Sequence, residues 1–384
     1  MMADMRQPLA KANVLRVLHI VNAFSAGGME NGVANLSNWL GRNGIQIDVC
    51  ALTKADKFAS RLPATTKVTA LNRGDGINTS VWRKIMSVIR AGNYQVVHTH
   101  NWTGLIYGVP AAVLCRVPVI HGEHSELFPW EKSPRRLLLR RLLYRWCRMV
   151  HVLSDDQLRQ LQQCGLDRGI DLRCFPNGTD TDEFQPGDTL AARAALKLPA
   201  DGFLVGIVGR MVPTKRHGLL LKAFEQAGRQ VPQMRLVLAG SGGPLESGIL
   251  QQCLDHPLRD RIHWLGGRDD MPTVYQSLNL LALPSENEGM PNVALESMAS
   301  GVPVLANRVC GMEQIIRDEV DGRIVALDRP ETLASLLTGL HADPGGLLAM
   351  GIRARQRIVD DFSLHAMSTR YEAAYRATAT SAKN

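Results

Sequence analysis

Short runs rich in valine, isoleucine and leucine recur along the chain, separated by stretches of helical length. In the first half they fall at residues 14–21 (VLRVLHIV), 45–52 (IQIDVCAL), 95–100 (QVVHTH), 117–124 (VPVIHGEH), 149–154 (MVHVLS) and 172–178 (LRCFPNG). Strands of a parallel sheet are covered by helices on both faces, so they read as continuous apolar runs rather than alternating ones. A polar, alanine-rich, proline-bounded stretch follows at 185–201, and then a second series begins. Its members are 203–210 (FLVGIVGR), 234–242 (MRLVLAGSG), 261–267 (RIHWLGG), 278–285 (LNLLALPS), 302–308 (VPVLANR) and 322–327 (GRIVAL). The pattern predicts an α/β protein of two doubly wound parallel-sheet domains, over 1–190 and 200–360, with the linker at 185–201. Residues 362–378 (FSLHAMSTRYEAAYRAT) read as a terminal helix. Open parallel sheets bind ligands beyond the carboxyl ends of their strands, where strand order reverses. Two such domains facing each other form a cleft, so the residues to inspect are those just after each strand.

A chain of 384 residues is long enough for two such cores. Its 45% hydrophobic and 21% charged content is that of a globular protein and excludes disordered and collagen-like classes. The seven cysteines are scattered, with no CxxC and no zinc-finger spacing, which points to a reducing compartment. The apolar run near the amino terminus is interrupted by Arg16 and His19, unlike a signal peptide, and no run reaches the roughly 18 to 20 apolar residues of a membrane span. A cytoplasmic protein with at most peripheral membrane contact is expected. The net charge of +8 favours phosphate-bearing partners, among them nucleotide sugars, anionic lipids and lipid diphosphates. No nucleic-acid-binding module is recognisable, so nucleic acid is not an expected partner.

The most telling stretch is Glu288-Gly-Met-Pro-Asn-Val-Ala-Leu-Glu296, just past the 278–285 run. Met290, Pro291 and Asn292 open a helix that stops near Gly301; proline is tolerated at a helix start, and the exposed amides there suit a diphosphate. A fully helical eight-residue step spans roughly 12 Å. That exceeds the roughly 5 to 9.5 Å between the paired carboxylates of glycosidases. Glu288 and Glu296 therefore read as two grips on one long ligand rather than as an acid pair.

The string PSENEGMPNVALESMASGVPVLANRVCG resembles the carboxy-terminal signature of glycosyltransferase family four, whose Glu-x7-Glu motif lies in a GT-B fold of two facing Rossmann-like domains with a carboxy-terminal crossover helix. The resemblance covers nearly the whole chain. It implies a retaining, metal-independent transfer of a hexose from a UDP- or GDP-linked sugar, with Glu296 at the ribose, Glu288 at the transferred sugar, and Met290, Pro291 and Asn292 lining the donor. VGRMVPTKRHGLLLKAF resembles the same family's strand-loop-helix, which makes Gly209, Arg210 and Lys215 donor-side residues. Cations fixed there stabilise the charge that gathers on the departing diphosphate. The family usually has glycine after the lysine; this chain has Arg216-His217-Gly218, so its helix start is expected to be shifted or more basic. Gly27 and Gly28 read either as a tight turn or as a ligand loop, and the family presents a GG loop to the donor diphosphate and the acceptor. They are not part of a GxGxxG, nor is GSGGPL at 240–245, which argues against a dehydrogenase.

Histidines cluster after two strands: His98 and His100, then His121 and His124, with Glu123 between the last two. Imidazole and carboxylate suit zinc, but the spacings are weak and fixed cations replace the metal in this fold, so neither metal nor cofactor is expected. By resemblance His121 stands beside the anomeric centre, and Glu123 is a candidate base for the acceptor hydroxyl. His98 and His100 are either structural or acceptor-side. Asn177 lies in PNGTDTDEF, which reads either as a simple tight turn or, by its resemblance to a family turn that faces the cleft at the end of the first domain, as an acceptor-side residue. GGMENGVANL and IHGEH are similar to bacterial exopolysaccharide-associated sugar transferases, which implies a glycan or lipid-linked glycan acceptor. Two readings compete with transfer: a nucleotide-sugar 2-epimerase of the same fold, and a basic nucleic-acid or lipid-binding protein. Finally, KSPRRLLLRRLLYRWCRMV predicts a helix over 134–149. Its leucine face (Leu138, Leu139, Leu142, Leu143, Trp146, Met149) is expected against the sheet, with its arginines (Arg136, Arg140, Arg141, Arg145, Arg148) either solvated or turned to an anionic membrane or an acceptor's lipid diphosphate.

Overall fold

The computed structural model describes residues 14–25, 27–74, 76 and 78–380. The chain divides into two units, one of residues 1–152, 158–175 and 368–384, the other of residues 153–157 and 176–367. The first unit holds β1 (Leu15–Val21), β2 (Ile45–Ala51), β3 (Val68–Ala70), β4 (Val96–His100), β5 (Val119–Gly122), β6 (Met149–Val152) and β7 (Leu172–Cys174). They form one sheet in the order β3-β2-β1-β4-β5-β6-β7, parallel throughout. The second holds β8 (Phe203–Val208), β9 (Met234–Ala239), β10 (Ile262–Trp264), β11 (Leu280–Leu283), β12 (Val304–Asn307) and β13 (Arg323–Val325), in the order β10-β9-β8-β11-β12-β13 and again parallel.

Side chains alternate across each strand, so each sheet feeds two apolar layers. On β2, Val49 and Ala51 join one core while Cys50, with Leu52 just past the strand, joins the other. On β8, Leu204 and Val208 face one side while Phe203, Val205 and Ile207 face the opposite one. Strand order reverses between β1 and β4 and between β8 and β11, which marks the carboxyl ends of those four strands as the ligand-binding edges.

Two expectations change. The stretch 185–201 is not a free linker: it belongs to the second unit, and the chain divides at 175/176. Asp188 caps the helix Thr189–Ala195 by accepting from the amides of Leu190 and Ala191. Buried Arg193 fastens that helix by donating to the carbonyls of Ser277 and Ala200 and to the Asn279 side chain. The terminal helix Leu364–Thr380 has its first residues in the second unit and residues 368–380 in the first.

The second correction concerns the basic helix, which runs only over Pro134–Tyr144. Leu138, Leu139, Leu142 and Trp146 are 55%, 39%, 48% and 52% exposed, whereas Arg140 is fully buried. The cause is electrostatic. Arg140 Nε donates to Glu123 Oε1 at 3.0 Å and its Nη2 to Glu131 Oε1 at 2.8 Å, and a buried carboxylate requires a cation. The guanidinium also lies over Trp102, 4.7 Å from the ring centroid. That choice turns Leu143 and Tyr144 inward and leaves Leu138, Leu139 and Leu142 facing out. No helix among the described residues is long and apolar enough to cross a membrane.

Candidate functional site

In the second unit, glycines let the strand ends close on one another. A Cβ on Gly240, past β9, would sit 2.2 Å from the Gly209 carbonyl oxygen past β8. One on Gly311, past β12, would sit 2.2 Å from the Gly289 carbonyl oxygen past β11. Gly209 has φ 145°, and the loop after it leads through exposed Arg210 into a short turn, Pro213–Lys215. Lys215 runs back over Gly209 and donates from Nζ to Glu288 Oε1 at 2.6 Å. Both side chains of this pair are mostly buried, which strengthens it over a surface ion pair. His217 follows, its pKa lowered to about 4 by burial and by Lys215.

Glu288 leads into the helix Asn292–Ala299, preceded by Pro291 in extended conformation and closed by Gly301 at φ 77°. Glu296 is buried on it and accepts from the Tyr275 hydroxyl at 2.7 Å. Burial and that carboxylate push the Tyr275 phenol well above its ordinary pKa. Asn177 belongs to this unit, because the division falls just before it. Its amide donates to the Met290 carbonyl at 3.1 Å and to Asn292 Oδ1 at 3.0 Å, tying down the start of the Glu296 helix. Tyr275 carried no signal in the sequence; it sits in a short helix, Met271–Ser277, and only the fold brings it to Glu296.

The first unit solves the same edge differently. Gly27 precedes the helix Gly28–Gly41 in extended conformation, and a Cβ on it would lie 2.3 Å from Glu30 Oε2. On β5, His121 Nδ1 is 2.8 Å from Thr99 Oγ1 and its Nε2 is 3.4 Å from Glu123 Oε1. Glu123 also accepts from the Tyr144 hydroxyl at 2.6 Å. Burial alone would raise the Glu123 pKa, yet His121, Arg140 and Tyr144 together hold it well below the carboxylate range. A carboxylate so held is a weak proton acceptor, which fits it for orienting His121 better than for the role of base.

Beside it runs a continuous chain of rings. His124 Nε2 lies 2.7 Å from His100 Nδ1, and His100 Nε2 lies 2.9 Å from His19 Nδ1. The Tyr375 hydroxyl bridges His19 Nε2 at 3.0 Å and His98 Nδ1 at 2.8 Å, and His98 Nε2 lies 2.9 Å from His151 Nε2. Burial first, and neighbouring imidazoles second, lower these histidines: His19 to about 3, His124 to about 4, and His98, His100 and His151 well below the ordinary value. All five are thus neutral near pH 7. Each neutral imidazole carries one N–H and the phenol one O–H, so six groups bring six protons to five links. Placing the proton at one end fixes all the others, and only two arrangements satisfy every link. The outward N–H then lies on His124 Nδ1 or on His151 Nδ1, the two ring nitrogens of this network with no hydrogen-bond partner among the described residues. One nitrogen each of His19, His98 and His100 lies within 4.8 Å of the others, a spacing within reach of a metal ion. All six ring nitrogens of these three residues are nevertheless already hydrogen-bonded. His19 and His151 escaped the sequence reading because each stands alone within an apolar run.

Residues 26–183 match the family described as Glycosyltransferase Family 4, and residues 188–357 that described as Glycosyl transferases group 1. The D-inositol 3-phosphate glycosyltransferase of Mycolicibacterium paratuberculosis is 30% identical over 381 residues, spanning 91% of this chain and 86% of the relative. That of Mycobacterium avium is also 30% identical, covering 91% and 89%. Among solved structures, Anabaena HepE in complex with UDP and glucose superposes with a TM-score of 0.82 at 21% identity, covering 94% of this chain and all of that one. Sucrose-phosphate synthase from Thermosynechococcus elongatus superposes with a TM-score of 0.79 at 24% identity, covering 94% and 98%. Two parallel, doubly wound Rossmann-like units together with these likenesses define a GT-B glycosyltransferase. The chain belongs to glycosyltransferase family four.

Proposed function

We propose that this enzyme is a retaining, metal-independent hexosyltransferase that takes its sugar from a UDP- or GDP-linked donor. The observation that carries the reading is the Lys215–Glu288 pair at the switch point of the second sheet, on the loop that opens the Glu296 helix. As the bond to the sugar breaks, negative charge gathers on the β-phosphate, and Lys215 with Arg210 stabilises it more in the transition state than in the ground state. Lys215 moves from Glu288 to the phosphate, which frees Glu288 for the sugar hydroxyls. Glu296 takes the ribose, its orientation set by Tyr275. The UDP and glucose bound to the structurally similar HepE support such a donor. In the first unit His121 meets the sugar, and Glu123, clamped by Arg140, orients it rather than acting as the acceptor's base.

The acceptor is a lipid-linked or growing glycan of bacterial polysaccharide synthesis, met at an anionic membrane. Support comes from the exposed face of the helix Pro134–Tyr144, where Leu138, Leu139 and Leu142 accompany exposed Arg135, and from exposed Arg145 and Arg148 just after the helix, a composition like that of an interfacial segment. The relatives acting on D-inositol 3-phosphate favour a second acceptor, a phosphorylated cyclitol. The test incubates the purified enzyme with UDP- and GDP-sugars, each alone and with lipid-linked glycans or inositol phosphates, with and without chelator. Product of retained anomeric configuration by NMR, formed in chelator, is expected. Rearranged donor without acceptor would instead make it an epimerase. Sedimentation with anionic vesicles at low salt should be lost in a Leu138→Asp/Leu142→Asp variant; equal binding to neutral vesicles would remove the membrane from the reading.

A further inference from the structure

Arg216 has φ 52° and ψ 41°, in the left-handed region that side chains avoid and glycine does not. Arg116 and Lys197 share that conformation just past helix ends, its common place. Arg216 likewise closes the short 3-10 turn Pro213–Lys215, but it also stands immediately before a helix, His217–Gln230, whose first turn it begins by accepting from the amides of Leu219 and Leu220. Strain of this kind persists where surrounding contacts over-determine it. Here they do. The reversed backbone sends the neighbouring Lys215 to Glu288 and the Arg216 side chain to Glu286, two residues earlier on the same loop, at 3.3 Å. The Glu286 amide donates to the Thr214 carbonyl at 2.9 Å between them. Arg216 also reaches the Leu327 carbonyl at 3.4 Å and Asp328 Oδ1 at 3.5 Å past β13. From there the contacts close into a ring: the Leu327 amide donates to buried Asn307, and Asn307 donates to the Ser285 carbonyl, the residue before Glu286.

We propose that Arg216 is a positioning residue for transfer: it locks the loop bearing Glu288 against the turn bearing Lys215, so that the cation and the carboxylate are held in reach of one donor. The proposal rests on the transferase reading. Arg216→Gly separates its two possible roles, because glycine relieves the backbone strain while removing the clamp. A residue serving only the fold would give a variant that melts lower and is inactive in proportion. The clamp predicts a melting temperature equal to wild type or higher, with kcat lowered about tenfold and donor KM changed far less, as expected when reacting groups are misplaced. Arg216→Lys should recover part of the loss. Because the effect runs through Lys215, Arg216→Gly should add nothing on a Lys215→Ala background. Wild-type kcat in Arg216→Gly, or an equal further loss on the Lys215→Ala background, overturns the assignment alone. A wild-type enzyme inert toward every nucleotide sugar overturns it together with the transferase reading.

Discussion

The two sheets end in edges built on opposite electrostatic principles. Past β8 and β11 stand ionised groups in pairs, Lys215 with Glu288 and Arg216 with Glu286, at positions that keep some contact with solvent. Within β1, β4 and β6, just after β5 and on the terminal helix stand buried rings kept neutral: five imidazoles and one phenol joined end to end. Charges answer a ligand's charge and exchange partners, so the first arrangement suits a diphosphate that arrives and leaves. Neutral rings satisfy one another only while the proton count holds, so the second suits a rigid wall. The difference teaches where each unit is vulnerable: the second to loss of a single cation, the first to acid and to loss of a buried partner.

Removing Arg140 should have the largest effect, since it leaves Glu123 buried without its cation. Arg140→Ala should cost about 3–5 kcal/mol, read from urea unfolding; a cost below about 1 kcal/mol would mean Glu123 has another counter-charge.

Acid should come next. In the unfolded chain the five histidines titrate near their ordinary value, while in the native chain burial and mutual repulsion depress them, to about 3 for His19 and about 4 for His124. The unfolded state therefore binds more protons below roughly pH 6.5, and stability falls as pH falls from there toward the native values. Each group contributes a slope of up to about 1.4 kcal/mol per pH unit. One extra proton fits at the vacant end of the chain, but a second must place two donors in one link. Arg140, Glu123 and His121 adjoin the network on β5 and the basic helix, and Tyr371 and Tyr375 cover it from the terminal helix. Unfolding free energy compared at pH 7.5 and 5.5, in wild type and in His98→Asn, checks this; a wild type indifferent to pH in that interval refutes the neutral chain.

For the charged edge, Lys215→Ala or Arg210→Ala should lower turnover about 100-fold, as for a lost oxyanion donor, with the circular dichroism unchanged. Near-native turnover in both would take them out of the donor site. The smallest contrast separates the two glutamates. Glu296→Ala should weaken binding of free UDP or GDP about tenfold, the scale of one charge-assisted hydrogen bond, and Glu288→Ala should leave it unchanged while depressing transfer. Calorimetry showing equal losses would dissolve that division of roles.

Much of this was legible because it is local. Continuous apolar runs mark buried parallel strands wherever they occur; β3, three residues at an edge of which two are partly buried and Ala70 is exposed, left no such mark. Glu288 and Glu296 lie within one strand-loop-helix passage, so their spacing could be read directly. The basic helix shows the limit. Periodicity groups Leu138, Leu139 and Leu142 on one face but cannot say which face turns inward, and the answer came from Glu123 and Glu131, carboxylates that bury Arg140.

The amino-acid order by itself therefore determined the two sheets, the family signature and the residues that follow each strand, because short-range patterning and backbone preference act over a few residues. Only the tertiary structure decided which charges are buried and in what company. Tyr375 stands between His19 and His98, Tyr275 against Glu296 and Arg140 against Glu123, because desolvation penalises any buried polar group until the fold supplies a partner from elsewhere in the chain.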